Sequence, residues 1–386
     1  MVRLIKSKGV VFVKKSFFWG FLLFILLSVF AFANSSTPNC TEWIVADSNG
    51  SYVAGSNITT VWPLASITKL MTAYVTLENI QEGKISLSTV TTVNRVAANT
   101  SGSSAELPRG QDITVDDLLK GMIIPSGNDA AVALAYLEGN GNVSNFVAQM
   151  NAAANSLGMK NTHFYTPDGL PTSMTGKPLD VSTAADLAIL ASKLEQSKTF
   201  MSICSLGTAK ICNGSIKLYS TNPILISVPG TTGMKTGHHN EAKYNIVVTT
   251  NRGGKKFIII VLGGNTEHMR DSLAKNYINL AYGSVISYPL FQNNGVVTTL
   301  PVKGGSIKLL NLIVPHMVSL NIIKGSQKNI TFTYVLPKVV DSNVSKNQVM
   351  GSVSVYYQGV YIETLNLLAQ NSVKKNSFVT DIKDLI

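Results

Sequence analysis

Three short groupings of hydroxyl, amine and amide side chains follow one another along the chain: Ser66-Ile67-Thr68-Lys69, Ser126-Gly127-Asn128 and Lys235-Thr236-Gly237. A serine hydroxyl is a weak nucleophile at neutral pH and needs a base beside it. A lysine three residues further along a helix returns to the same face one turn away, within reach of that hydroxyl. Its amine can act as the base only if burial or a second cation lowers its pKa, and Lys235 is the candidate cation. Ser126 can relay a proton to a leaving amine, and Asn128 can both donate and accept hydrogen bonds. Lys235 and Thr236 suit a substrate carboxylate, and Gly237 lets a substrate backbone approach closely. Taken together, the groups describe acyl transfer through a serine. Singly they are weak: Ser-x-x-Lys recurs at Ser272 and Ser372, and Ser-x-Asn at Ser220, Ser319 and Ser345. A helix cap, a helix break and a protective strand-edge lysine are the plain alternatives.

The elements that must hold these groups can be read from periodicity and turn residues. Residues 66–80 are predicted to be a helix, with Ile67, Leu70, Met71, Tyr74, Val75 and Ile80 on one face. Residues 42–54 read as a hairpin about Ser48-Asn49-Gly50. Helices are predicted over 116–124, with Asp116 and Asp117 at the positive end, and, beyond the breaker Pro125, over 129–137, 145–157 and 183–194. Strands over 244–250 and 256–262 join through Asn251-Arg252-Gly253-Gly254-Lys255, and a closing helix covers 271–282. Strands early, helices in the middle, then strands and a helix imply an α+β fold: one antiparallel sheet flanked by helices. Past Tyr288, short strands alternate with Gly, Pro, Asn and Ser turns, which predicts a small C-terminal all-β domain.

Composition places the chain. Of 386 residues, 45% are hydrophobic and 14% charged, ample for a packed core. Residues 1–33 carry Arg3, Lys6, Lys8, Lys14 and Lys15 with no acid, then an apolar run from Phe17 to Phe32 and the small-residue site Ala31-Phe32-Ala33. That is the pattern of a cleaved export signal, an uncleaved anchor being the alternative. The predicted organisation is a signal over 1–33, a catalytic domain over 34–287, a β-rich domain over 288–375 and a short tail over 376–386. The formal charge is +11, and without the five cations of residues 1–33 it is +6; a mildly basic protein of that kind suits an anionic surface such as a polymer or lipid headgroups. No Lys/Arg cluster with interleaved aromatics points to nucleic acid. His163, His238, His239, His268 and His316 lack metal-ligand spacing, so no metal or other cofactor is expected. Oxidising surroundings would permit a Cys204–Cys212 bridge across a short turn, free thiols being the alternative.

The sequence resembles the serine D-Ala-D-Ala carboxypeptidases of the low-molecular-weight penicillin-binding class. The likeness lies in Pro63-Leu64-Ala65-Ser66-Ile67-Thr68-Lys69-Leu70-Met71-Thr72, in Ile113-Thr114-Val115-Asp116-Asp117-Leu118-Leu119 through Ser126-Gly127-Asn128-Asp129-Ala130, and in Gly233-Met234-Lys235-Thr236-Gly237-His238. It covers residues 40–285 and, more loosely, the β-rich domain beyond. The resemblance implies a fold shared with serine β-lactamases and an acyl-enzyme on Ser66. It also implies peptidoglycan stem peptides as substrates and β-lactam antibiotics as inhibitors. By the same resemblance the backbone N–H groups of Ser66 and His238 would form the oxyanion hole, and Arg270 would lie near the carboxylate site, its alternative being a surface salt bridge. Some segments depart from the family. Asp168-Gly169-Leu170-Pro171 stands where the family often has His-Gly-Leu-Asp, and His239 where Thr is common. The residues after Lys375 are too few for a firm amphipathic membrane anchor, leaving surface association open. A β-lactamase and a catalytically silent wall-binding protein are the competing functions. Glu138 and Asn142 have the spacing of a class A β-lactamase but stand too soon after Ser126, and the intact Ser66, Lys69, Ser126, Asn128 and Lys235 set argues against silence.

Overall fold

The computed structural model describes residues 42–376; the predicted export segment, Cys40 and the tail beyond Asn376 lie outside the described residues. Strands β1 (Glu42–Asp47) and β2 (Tyr52–Ser56) form the predicted hairpin. Its turn is held by Asp47, whose carboxylate accepts from the N–H groups of Asn49 and Ser51. Strands β3 (Thr231–His239), β4 (Lys243–Arg252) and β5 (Lys255–Gly264) complete an antiparallel sheet of order β2-β1-β5-β4-β3. The run Phe257–Leu262 in β5 is apolar without alternation because both faces of the sheet are covered. Ile258, Ile260 and Leu262 join the core under the helices, while Phe257, Ile259 and Val261 meet Ala274, Ile278 and Ala281 of the closing helix.

The helices are α1 (Lys69–Gln81), α2 (Val115–Ile123), α3 (Asn128–Glu138), α4 (Val143–Ser156), α5 (Ala184–Gln196), α6 (Lys198–Cys204) and α7 (Glu267–Ser284). Thr114, Thr183 and Thr266 cap α2, α5 and α7, each accepting from the N–H three residues on. Two expectations about α1 need correction. Ser66 sits in a 3₁₀ turn, Ala65–Thr68, and the α-helix begins only at Lys69. Nor is α1 buried on one face alone: Lys69, Thr72, Thr76 and Asn79 are as covered as Leu70 and Met71, because α3, α4 and α5 surround it.

Cys204 and Cys212 are both free thiols, so the permitted bridge does not form. Cys204 ends α6 in the core, its Sγ 3.5 Å from the Thr232 carbonyl, and burial pushes its thiol up to about 12. Cys212 lies in the turn between strands Thr208–Ile211 and Ile216–Tyr219, its N–H bonded to Asp117.

Beyond α7 the chain is all-β. Strand Val285–Phe291 pairs with Val318–Ile323, and the remaining strands form a six-stranded sheet with its own core of Leu310, Leu312, Val353, Val355 and Leu367. Those first two strands were not predicted. The chain passes from α7 straight into the first of them, so Tyr288 lies within a strand, opposite Leu320. Leu320, Ile322 and Tyr357 also join the main core, and Tyr52 Oη donates to Gln358 at 2.8 Å. Charge is unevenly shared. Residues 288–376 hold eight lysines, all exposed, against Asp341 and Glu363, whereas residues 34–287 are nearly balanced, with eighteen cations and seventeen anions. Lys303, Lys346, Lys374 and Lys375 gather at the end where the described chain stops: Ser306 N–H bonds the Lys374 carbonyl, Ser342 N–H that of Lys303, and Asn376 N–H that of Gly304.

Candidate active site

The site is built on the 3₁₀ turn. Leu64, Ile67, Leu70 and Met71 anchor it in the core, and Ser66 is left half-buried at a cleft. Ala65 adopts φ +50°, a left-handed conformation uncommon for a residue with a Cβ, which lifts Ser66 out of the helical path. Lys69 follows on the first turn of α1, completely buried. Its Nζ is 2.9 Å from Ser66 Oγ, 2.6 Å from Asn128 Oδ1 and 2.6 Å from the Asp168 carbonyl oxygen. Burial lowers its pKa to about 8, with Asp168, Asp129 and Asp180 pulling the other way. Lys235, equally buried, is lowered as well, first by burial and then by Lys69 and Arg270. Burial, rather than the second cation expected from the sequence, is thus the main force on Lys69.

Ser126-Gly127-Asn128 forms the entry to α3. Ser126 is buried with φ +67°, and a Cβ on Gly127 would stand 2.6 Å from the Gly121 carbonyl, so only glycine fits there. Asn128 donates through Nδ2 to the Ser101 carbonyl while its Oδ1 accepts from Lys69. The next residue, Asp129, accepts from Ser104 Oγ and from the N–H groups of Ala105 and Leu107, fixing the loop that brings Ser103 to the cleft.

Lys235, Thr236 and Gly237 lie on β3, the edge strand of the sheet. Thr236 Oγ1 is 3.0 Å from Thr221 Oγ1, and the exposed His238 ring stacks on Tyr244 at 4.0 Å. Gly237 lines the cleft, as its expected role requires, and also has a packing role that the sequence did not suggest. A Cβ there would lie 2.7 Å from the Leu64 carbonyl and 3.1 Å from Ile67 N, so its bareness serves the packing of β3 against the turn that carries Ser66. Arg270, in the first turn of α7, is not a surface residue. It is 2% exposed, with Nε and Nη2 at 2.8 and 2.7 Å from Asp271 and Nη2 at 3.0 Å from Glu267. Ser66, Ser103, Ser126, Thr221, Thr236, Gly237, His238, Tyr244, Glu267 and Arg270 line one cleft of about 360 Å³, with Lys69, Asn128 and Lys235 buried behind it. A larger groove of about 450 Å³ between α1 and α5 contains none of these groups.

Several members of the constellation escaped the sequence. The departing segment Asp168–Pro171 contributes backbone: the Asp168 carbonyl faces Lys69, and Gly169, at φ +82°, has no room for a Cβ, which would stand 2.0 Å from the Ala65 carbonyl. Asp180 ties this loop to the turn that carries Ser66. Its carboxylate accepts from Thr68 Oγ1, Thr166 Oγ1 and the N–H groups of Tyr165 and Thr166, and burial raises its pKa to about 6. None of these residues belongs to a spaced motif; an acid between Thr-containing segments was the one signal available.

Residues 31–266 match the family model described as D-alanyl-D-alanine carboxypeptidase, and residues 287–375 match the penicillin-binding protein 5 C-terminal domain. A D-alanyl-D-alanine carboxypeptidase of Bacillus subtilis is 30% identical over 83% of this chain and 82% of its own length. The structure of penicillin binding protein 5 from Haemophilus influenzae aligns at 28% identity with a TM-score of 0.71, covering 88% of this chain and 99% of that one. A Listeria monocytogenes penicillin-binding protein in its cefotaxime-bound form aligns at 31% identity with a TM-score of 0.57, over 64% of this chain and 98% of that one. With a spaced serine, buried lysine and edge-strand Lys-Thr-Gly in one cleft of this fold, the chain belongs to the D-alanyl-D-alanine carboxypeptidase family, within the low-molecular-weight penicillin-binding proteins.

Proposed function

We propose that this enzyme removes the terminal D-alanine from peptidoglycan stem peptides through an acyl-enzyme on Ser66. One observation carries the reading: the three neighbours of the Lys69 amine. Asn128 Oδ1, held by the Asn128–Ser101 hydrogen bond, and the Asp168 carbonyl can only accept. A neutral amine has two hydrogens and one lone pair. The two acceptors take the hydrogens, which leaves the lone pair for the Ser66 hydroxyl, 2.9 Å away. Ser66 Oγ then attacks the carbonyl carbon of the penultimate D-alanine as its proton passes to Lys69. The backbone N–H groups of Ser66 and His238 receive the oxyanion, such donors contributing about 2.7–4 kcal/mol each. As the amide C–N bond breaks, Ser126 relays a proton to the leaving D-alanine nitrogen, and Lys69 is neutral again. Water repeats the sequence on the ester and frees Ser66. Lys235, Thr236 and Arg270 take the substrate's terminal carboxylate, which favours the charged form of the depressed Lys235 amine.

The β-lactamase alternative loses its base. Glu138 is engaged in holding α3 to α1, accepting from Thr76 Oγ1 and Asn79 Nδ2 at 2.6 Å each. We assign catalysis to residues 34–287 and association with an anionic surface to residues 288–375, whose lysines outnumber acids as noted above. An export signal over 1–33 would place the enzyme outside the cytoplasmic membrane. The test is release of D-alanine from a pentapeptide stem, together with covalent labelling by fluorescent penicillin. Ser66→Ala should abolish both; labelling that persists in Ser66→Ala would refute the assignment.

A further inference from the structure

We propose that Glu267 is a specificity-determining residue, competing with the substrate's terminal carboxylate for Arg270 and so weakening the capture of chain ends. The inference rests on the carboxypeptidase reading above. Arg270 has two acidic partners of different character. Asp271 is largely covered, its side chain 17% exposed, and it spans Nε and Nη2; it orients the guanidinium permanently. Glu267 is 62% exposed and holds Nη2 alone, from the rim of the cleft that Ser66 and Thr236 also line. Of this pair only the Glu267 carboxylate is open to solvent: it can turn out into water while Asp271 keeps the buried guanidinium paired. Glu267 is therefore both the displaceable partner and an anion of the same sign as the group the cleft must receive.

A substrate carboxylate arriving beside Arg270 must displace Glu267 or accept its repulsion. A substrate ending in an amide carries no charge and meets neither cost. Discrimination between the two is a difference of affinities, and Glu267 lowers the affinity on one side only. Because the competition is over binding, it acts on KM and leaves the step at Ser66 unchanged.

Steady-state rates for a D-Ala-D-Ala-ended peptide and its terminal amide test this in the full-length enzyme. Glu267→Gln should raise kcat/KM for the acid about three- to tenfold through a lower KM, with the amide unaffected. Glu267→Asp, which keeps the charge but withdraws it from Nη2, should fall between. In an Arg270→Ala background, where only the repulsion is left, Glu267→Gln should change the ratio of acid to amide by clearly less than it does beside Arg270. An unchanged or lower kcat/KM for the acid in Glu267→Gln would overturn the proposal, as would an equal gain in the Arg270→Ala background. Equal turnover of acid and amide by the wild type would defeat the carboxypeptidase reading itself. A preserved wild-type preference that Glu267→Gln leaves unaltered defeats only the role of Glu267.

Discussion

Lys69 offers three hydrogens when protonated and two when neutral, and in the proposed mechanism that difference sets the pH behaviour of the site. Only the neutral amine can take the Ser66 proton. With a pKa of about 8, acylation by penicillin should rise with pH through that value and fall about tenfold for each unit below it. Lys69→Arg keeps the charge but not the base, since guanidinium does not deprotonate in this range. Its acylation rate should drop by at least about a thousandfold, with no inflection near pH 8 in stopped-flow labelling. The linkage has a definite sign. Between about 8 and the ordinary lysine value of 10.5, the unfolded chain holds a proton that folded Lys69 has lost, so this residue's contribution to stability rises with pH across that window. At this scale the sequence named side chains that the fold brings together. Ser66, Lys69, Asn128 and Arg270 meet around one cleft. The Asp168 carbonyl was invisible, because every residue type has one.

Between residue and fold, the site depends on segments far apart in the chain being tied together. Asp180 joins Thr68 on the Ser66 turn to Tyr165 and Thr166 on the loop leading to Asp168. Asp180→Ala would strand four donors, three of them buried, at about 1–3 kcal/mol for each that finds no water. The expected outcome is a fall in thermal midpoint of several degrees and a penicillin acylation rate reduced more than tenfold, as Lys69 loses its fixed acceptor. Asp180→Asn, which still accepts through one oxygen, should lose less on both measures. Periodicity located the helices α1, α2 and α3 to within a few residues, but its one-face reading of α1 is incomplete. The face picked for α1 was real, but the polar residues Thr72, Thr76 and Asn79 are buried against neighbouring helices that a single-face pattern cannot see. Strand Val285–Phe291 was missed because it contains Pro289 and follows α7 without a turn.

At the scale of the molecule, the two parts share more than a linker. Tyr357, Leu320 and Ile322 extend the main core, and Tyr52 bonds Gln358. A chain ending at Ser284 keeps every residue of the cleft and removes whole strands, whereas one ending at Tyr288 would leave half of a strand unpaired. The shorter chain should bind penicillin stoichiometrically while melting at a lower temperature than the full-length enzyme, since burial of one large side chain is worth about 1.5–3 kcal/mol. Loss of penicillin binding by that chain, with the full-length control active, would show that the β-rich part shapes the cleft.

The burial of Lys69 and Lys235 also has a practical side. Amine-reactive esters modify lysines that solvent can reach, and both of these are shut away while all eight between 288 and 376 are open. Mild acetylation of the native enzyme should therefore act as a selective chemical edit. It would erase the positive charge of the β-rich region and spare the amines behind Ser66. The treated protein should lose retention on a cation-exchange column and sedimentation with anionic phospholipid vesicles, yet still take up one equivalent of fluorescent penicillin. Modification after denaturation and refolding would remove that protection, and the acyl-enzyme should then fail to form.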